Sequence, residues 1–345
     1  MKVQNVAYSL IITTLIILLL IFAEPILVPF VIALLIWFIV KKTRNLIDKI
    51  GFAKTYIPKW IKTIAASVLI FAAIFYVGQL LVYNIEKLSE SYPNYIVNAG
   101  NIGEQIHQIF GIDLKSEITL FFQKDFFNSS VLSSFLNSIS DVLGNMMMIV
   151  FYTIFLFIEE TLFAHKVNLI FPDHSNGEKS NAHKTFKKID KTMSRYIGLK
   201  SLIALMTAIL GYIVLSLVGL DAPLFWAFLL FMFNFIPSVG PIIASLLPAL
   251  FSLLQFGEFT PFLIILSCMT GIAVLVGNFV EPKLMGNTLN ISPLVAVISL
   301  AVWGALWGVT GMLLSVPITV AMIIIFSQFK STRSIAILLS EKGRV

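Results

Sequence analysis

The sequence predicts an all-α polytopic membrane protein of about eight hydrophobic segments, two of them (224–254 and 293–329) broken or re-entrant. Three observations carry that expectation. The 345 residues are 58% hydrophobic and only 12% charged, with a mean hydropathy of +0.93, outside the range of soluble globular chains. Several apolar runs, Ser201 to Gly219 and Pro261 to Gly277 with their flanks among them, reach the roughly 18 residues that mark a spanning helix. Two further runs are too long for one crossing and carry helix breakers inside them. The single cysteine, Cys268, lies in an apolar run, so neither a disulfide framework nor a cysteine metal cluster is expected.

In chain order, Lys2 precedes an apolar run from Val6 to Ala23 that could be read as a signal peptide. A second run, Ile26 to Val40, begins after only Glu24 and Pro25, which makes the pair a helical hairpin of the mature protein. Lys41, Lys42, Arg44, Lys49, Lys54, Lys59 and Lys62 follow against one acid, Asp48, placing this loop in the cytoplasm, with Trp37 and Trp60 at its interfaces. The third span, Ile61 to Tyr83, completes an N-terminal region, 1–83. In 84–141 acids prevail (Glu86, Glu90, Glu104, Asp113, Glu117, Asp125, Asp141 against Lys87, Lys115, Lys124), as in an extracytoplasmic region. Ile102, Ile106 and Ile109, then Val131, Phe135, Ile139 and Val142, recur at helical spacing. Each amphipathic face must be covered by lipid headgroups, the chain's own spans or a neighbouring subunit.

The region 142–200 holds a fourth span, Val142 to Ile158, and a linker, His165 to Lys200, with eight Lys or Arg residues. Lys184, Lys187, Lys188, Lys191 and Arg195 share a helical face. The plain reading is a cytoplasmic loop that sets topology; binding to an anionic leaflet is the alternative. Without a folded basic domain, no nucleic-acid partner is expected.

The remaining core, 201–329, contains the two oversized runs, and 330–345 is a basic tail with Lys330, Arg333, Lys342 and Arg344. After the span Ser201 to Gly219 and the turn "LDAP", Leu224 to Leu254 is 31 residues, about 46 Å as one helix against a hydrocarbon core of about 30 Å. Pro293 to Phe329 is 37 residues, about 55 Å. Either both runs are interrupted crossings or both are re-entrant hairpins; one of each would put the basic tail outside. The two cases place Glu281 to Asn290 outside or in the cytoplasm respectively. Trp303 and Trp307, halfway along the second run, favour a turn at an interface and hence hairpins.

Prolines remove backbone donors, and in hydrocarbon the freed carbonyls survive only where protein or a water-filled cavity receives them. The stretch "FNFIPSVGP" therefore marks either a packing kink or a functional cavity offering Asn234, Pro237, Ser238, Gly240 and Pro241. In "GNFVEPKLMGN", Asn278, Glu281 and Lys283 end an apolar run. A carboxylate at that depth points to a substrate or proton role, unless Glu281 is simply paired with Lys283 at a helix end. In "WGALWGVTG", Trp303, Gly304, Trp307, Gly308 and Gly311 are candidates for the path. All four histidines (His107, His165, His174, His183) fall outside the spans, and HExxH, GxSxG and GxxxxGK[ST] are all lacking. No enzymatic activity, metal or cofactor is expected.

The blocks "SRYIGLKSLIALMTAIL", "FNFIPSVGPIIASLLPAL", "EPKLMGNTLNISPLV" and "WGALWGVTGMLLSVPITV" resemble successive blocks of the autoinducer-2 exporter (AI-2E) family of bacterial permeases, most closely between Ser194 and Phe326. The resemblance carries the family's motif positions to Pro237, Gly240 and Pro241, to Glu281, Pro282, Gly286 and Pro293, and to Gly308, Gly311 and Pro317. Ser238 stands where the family often has an aromatic or other residue. The resemblance implies a multi-pass, homo-oligomeric protein of the bacterial cytoplasmic membrane, and the loop charges place both termini in the cytoplasm. Members are associated with export of autoinducer-2, others with sodium or lithium exchange for protons. The leading expectation is a secondary exporter of a small polar organic solute. A sodium (lithium)/proton antiporter titrating Glu281 is the second, and a non-transporting scaffold assembled through its external helices the third. The partners are accordingly a small solute or a monovalent cation and proton, and the lipid bilayer.

Overall fold

The computed structural model describes residues 3–49, 55–111, 131–170, 181–237, 239–286, 290–329 and 331–343; Ser238, Lys330 and Arg344 lie outside them. Every regular element among the described residues is helical. Helix α1 (Val3–Phe22) and α2 (Glu24–Ile47) meet at Ala23. The Ala23 N–H closes α1 on the Leu19 carbonyl at 2.8 Å, and its own carbonyl accepts from Ile26 and Leu27 to open α2. The corner therefore leaves few backbone groups to be satisfied from outside. Then follow α3 (Lys59–Glu90), α4 (Tyr92–Phe110), α5 (Val131–Ile170), α6 (Asn181–Val218), α7 (Pro223–Phe233), α8 (Val239–Phe256) and α9 (Phe259–Leu275). A π-helical turn (Val276–Val280), α10 (Glu281–Met285), α11 (Pro293–Phe326) and α12 (Arg333–Leu339) complete the chain. Six of these helical stretches are long and apolar enough to cross a membrane, and Leu10–Phe22 and Pro223–Phe233 are shorter apolar helices. The chain is a multi-pass membrane protein.

The basic linker continues without a break into the fifth span as α6. Lys187, Lys188, Lys191 and Arg195 are exposed on it, while Met193, Tyr196 and Ile197 are buried; the Lys184 side chain lies outside the described residues.

The helices sort into two interleaved units. One comprises Met1–Thr43, Asn145–Ile197 and Asn287–Val345; the other, Arg44–Gly144 and Gly198–Gly286. In the first unit, Lys41 lies 4.7 Å from the centre of the Trp37 ring and pairs with Asp190 at 2.7 Å, tying α2 to α6. Helix α11 is two helices rather than one. Trp307 (φ −131°, ψ 23°) and Gly308 (φ 57°, ψ −142°) leave helical geometry, a conformation that favours glycine at 308. The chain then doubles back: Gly304 faces Met312, and a Cβ on Gly311 would run into the Trp303 carbonyl. In a straight helix Trp303 and Gly311 would stand about 12 Å apart. The Trp307 indole N–H donates to the Leu20 carbonyl at 3.0 Å, fixing the tip of this hairpin to the end of α1.

In the second unit α7 and α8 form the other hairpin. The Trp226 and Phe251 rings are 5.0 Å apart, whereas an unbroken helix would separate these residues by about 37 Å. Full crossings of both long runs, one of the two arrangements the sequence allowed, are therefore not what the chain adopts. At the tip, Pro237 and Pro241 lack N–H groups, and the carbonyls they would have served take turn bonds instead: Phe233 from Ile236 at 2.9 Å, Pro237 from Val239 at 2.6 Å. Gly240 is required by closeness, since a Cβ there would collide with the Phe233 carbonyl. Trp226, Leu230, Ala244, Ala249, Phe251 and Leu254 form the core of the hairpin together with Leu215, Ile265 and Met269.

Helix α4 closes the base of this hairpin. Tyr95, Asn98 and Gln105 share one face. The Tyr95 hydroxyl donates to Asp221 at 2.7 Å; Asn98 donates to the Leu254 and Gln255 carbonyls at 3.0 and 2.7 Å; Gln105 donates to Gly257 at 2.9 Å. Gln255 accepts from the Asp221 N–H and donates to the Gly219 carbonyl, clasping the two ends together. Ile102 and Ala99 on the same face are buried, so among the three covers open to this amphipathic helix, the chain's own hairpin supplies one. The side chains of Ile109, Val131, Phe135, Ile139 and Val142 lie outside the described residues.

Gly240→Ala and Gly311→Ala each force a backbone collision at a hairpin tip. Each should cost about 1–3 kcal/mol, while Gly78→Ala, with open space at that position, should cost nothing; thermal unfolding of the purified proteins in detergent compares the three. Burial, reinforced by the bond to Asp221, holds the Tyr95 phenol above its usual range. In the unfolded chain it ionises near pH ~10, so the folded state loses this contribution as pH rises past that value. The melting temperature of the wild type should fall more steeply between pH ~9 and ~11 than that of Tyr95→Phe.

Candidate functional site

The second unit encloses a cavity where the tip of the α7–α8 hairpin meets α6 and α9. Its lining includes Thr207 from α6, Asn234 and Pro241 from the tip, Ser245 from α8, Val276 from the π turn and Glu281 from the start of α10. Space for the centre of a water-sized body is about 20 Å³. One water needs roughly 10–15 Å³ by that measure, so the cavity fits a water or a small cation in this state and not a five-membered organic ring.

Each polar group arrives there for a local reason. On α6, Lys200, Ile203 or Ala204, and Thr207 recur at helical spacing, so Lys200 sits two turns from Thr207 on the same face. Asn234 caps the last turn of α7, its N–H bonded to the Leu230 carbonyl at 3.2 Å. Its amide nitrogen donates to Thr207 Oγ1 at 3.2 Å, and the Thr207 hydroxyl donates to the Ile203 carbonyl at 3.0 Å. The Ser245 hydroxyl donates to the Pro241 carbonyl at 2.7 Å. Along α9 the lining follows Met269, Ile272, Ala273 and Val276 at α-helical spacing. At about 100° per residue Val280 would continue that face. The π turn inserts one residue, with the Glu281 N–H bonded back to the Val276 carbonyl five positions earlier, and brings Glu281 onto the cavity instead.

Glu281 is bonded to Lys200 at 2.6 Å, with 30% of its side chain exposed and only 9% of the Lys200 side chain. This corrects the pairing of Glu281 with Lys283: the partner comes from another helix, 81 positions upstream. Lys283 and Asn278 are both exposed, and neither is among the residues that line the cavity. Of the candidates in the second unit, the structure brings together Asn234, Pro241 and Glu281. Gly240 and Pro237 shape the tip, and Ser238 lies outside the described residues. Trp303, Gly304, Trp307, Gly308 and Gly311 belong to the other unit, where the Trp303 and Trp307 rings lie 5.1 Å apart, tilted by 47°, at the hairpin tip. Lys200, Thr207 and Ser245 were not singled out in the sequence. The signal available was a lysine opening an apolar span with a threonine two turns inside it.

A match to the family profile described as AI-2E family transporter covers residues 10–331. A Haemophilus influenzae protein named provisionally for transport is 28% identical over 92% of this chain and 91% of its own length. The AI-2 transport protein TqsA of Escherichia coli K12 is 27% identical over 94% of this chain and 92% of its own. A Borreliella burgdorferi protein, also named provisionally for transport, is 40% identical over 44% of this chain and 42% of its own length.

Replacing Lys200 with Met strands the Glu281 carboxylate, and replacing Glu281 with Gln strands the Lys200 ammonium. In a double-mutant cycle the pair should show a coupling of about 1–3 kcal/mol, the double variant being more stable than the sum of the single losses predicts; chemical denaturation in detergent measures it.

Proposed function

The chain belongs to the AI-2E family of transporters, and from that premise we propose that it is a secondary transporter coupled to a monovalent cation and protons at the cavity of the second unit. The observation that carries this reading is the Lys200–Glu281 pair beside a cavity of one-water size. The Lys200 ammonium already neutralises the carboxylate and is tethered beside it, so a cation entering at Glu281 keeps the site's net charge only when one proton leaves the pair as the cation binds. Exchange of that kind is the elementary step of cation/proton antiport: cation bound at Glu281 on one side, proton on the other. The re-entrant hairpin supports it by carrying Asn234 and Pro241 on a tip whose backbone is bonded within its own turn. By the charge of the flanking loops, Lys200 and Glu281 lie toward the cytoplasmic side of the bacterial inner membrane, where both termini also sit.

A second reading has its own support. The full-length likeness to a protein named for autoinducer-2 transport favours outward movement of a small polar organic solute, with the same cavity serving the coupling ion. Inside-out vesicles holding a respiration-driven proton gradient, followed by a pH-sensitive dye, separate the two. The cation reading predicts that sodium or lithium collapses the gradient and that Glu281→Gln reduces the response at least tenfold. Silence toward both cations with accumulation of a labelled furanone would replace it by the second.

A further inference from the structure

The polar lining of the cavity is one-sided. Its hydroxyl protons are spent inside the protein, Thr207 on the Ile203 carbonyl and Ser245 on the Pro241 carbonyl. The Lys200 ammonium is engaged by Glu281. The Asn234 amide donates to Thr207, which leaves its other end, Oδ1, fully buried and without a hydrogen-bond partner in a residue only 6% exposed. Leaving a buried carbonyl unsatisfied is costly, so its orientation needs a cause.

Thr207 supplies that cause. Because its proton goes to Ile203, its oxygen receives the Asn234 N–H, and the two bonds form together. With the amide reversed, Oδ1 would face the Thr207 oxygen, and the hydroxyl would have to abandon Ile203 to meet it. Two hydrogen bonds would become at most one. We infer that Thr207 is a positioning residue: it takes the amide nitrogen of the cavity-lining Asn234 and leaves the carbonyl as the end without a partner, so that the site favours a cation or another hydrogen-bond donor over an anion. This rests on the cation reading of the cavity and deepens it.

Thr207→Val keeps the shape and removes the hydroxyl, freeing the amide to turn; Thr207→Ser restores the hydroxyl. Two readouts are used on the purified, reconstituted full chain. One is the sodium and lithium dependence of proton release in vesicles. The other, independent of turnover, is the concentration of sodium or lithium that half-raises the melting temperature. Thr207→Val should raise both the apparent KM and the half-raising concentration at least tenfold, by more than it changes kcat, and Thr207→Ser should return both to within about threefold of wild type. A structural role alone would lower the melting temperature without cation and leave the half-raising concentration in place. The inference is overturned if Thr207→Val shows the wild-type cation dependence, or if Thr207→Ser is as impaired as Thr207→Val. If the wild type itself responds to neither cation in either readout, the cation reading of the cavity fails and this inference falls with it.

Discussion

Everything distinctive in this protein follows from one constraint: in hydrocarbon a backbone N–H or carbonyl must find its partner within the protein. A helix meets that requirement residue by residue, and a chain that turns inside the membrane does not. The two long runs turn back nonetheless, and each tip is arranged to meet the cost locally. At 233–240 the carbonyls released by Pro237 and Pro241 are taken by Ile236 and Val239, and at 307–308 a glycine provides the backbone angles that the reversal needs. Gly240 and Gly311 occupy equivalent places, each pressed against a carbonyl from the arm before the turn.

The second unit shows how a polar site is built on such a tip. Its hairpin is held by an apolar core about Trp226, Phe251 and Leu254 and is clasped at the base by Tyr95, Asn98 and Gln255. The tip side is polar as well, and there each group has been brought by a separate device: Lys200 and Thr207 by the period of α6, Asn234 by the end of α7, Glu281 by a π turn. A charged pair so placed adds little net stability, because desolvation of both groups offsets most of their attraction. Its placement at the cavity is what the proposed exchange requires.

Much of the architecture was legible in the sequence. Composition and run length predict a polytopic helical protein, the arithmetic of 31 and 37 residues against the bilayer predicts that two runs break, and Trp303 with Trp307 marks where one does. The corner at Ala23 and the end of the fifth span at Gly219 follow from Pro25 and from the "LDAP" turn. The site was legible only in part. Asn234, Pro241 and Glu281 stand out because polar groups, prolines and carboxylates are costly in an apolar run. Lys200 does not, because a lysine at the head of a span looks like any topology signal, and its partner lies 81 residues away. Lys283, two positions from Glu281, offers itself as a partner on spacing alone. Only the π turn, which has no reliable sequence signature, rotates Glu281 toward α6 instead.

The central claim is that the cavity between Asn234, Ser245 and Glu281 is a cation site. The most direct measurement is an experimental structure of the full chain prepared in thallium in place of sodium, with anomalous scattering used to place the ion. The account predicts an anomalous peak within coordinating distance of Asn234 Oδ1 and the Glu281 carboxylate, with Lys200 drawn away from Glu281. A cavity holding no such peak, with Lys200 and Glu281 still bonded at saturating thallium, would contradict it.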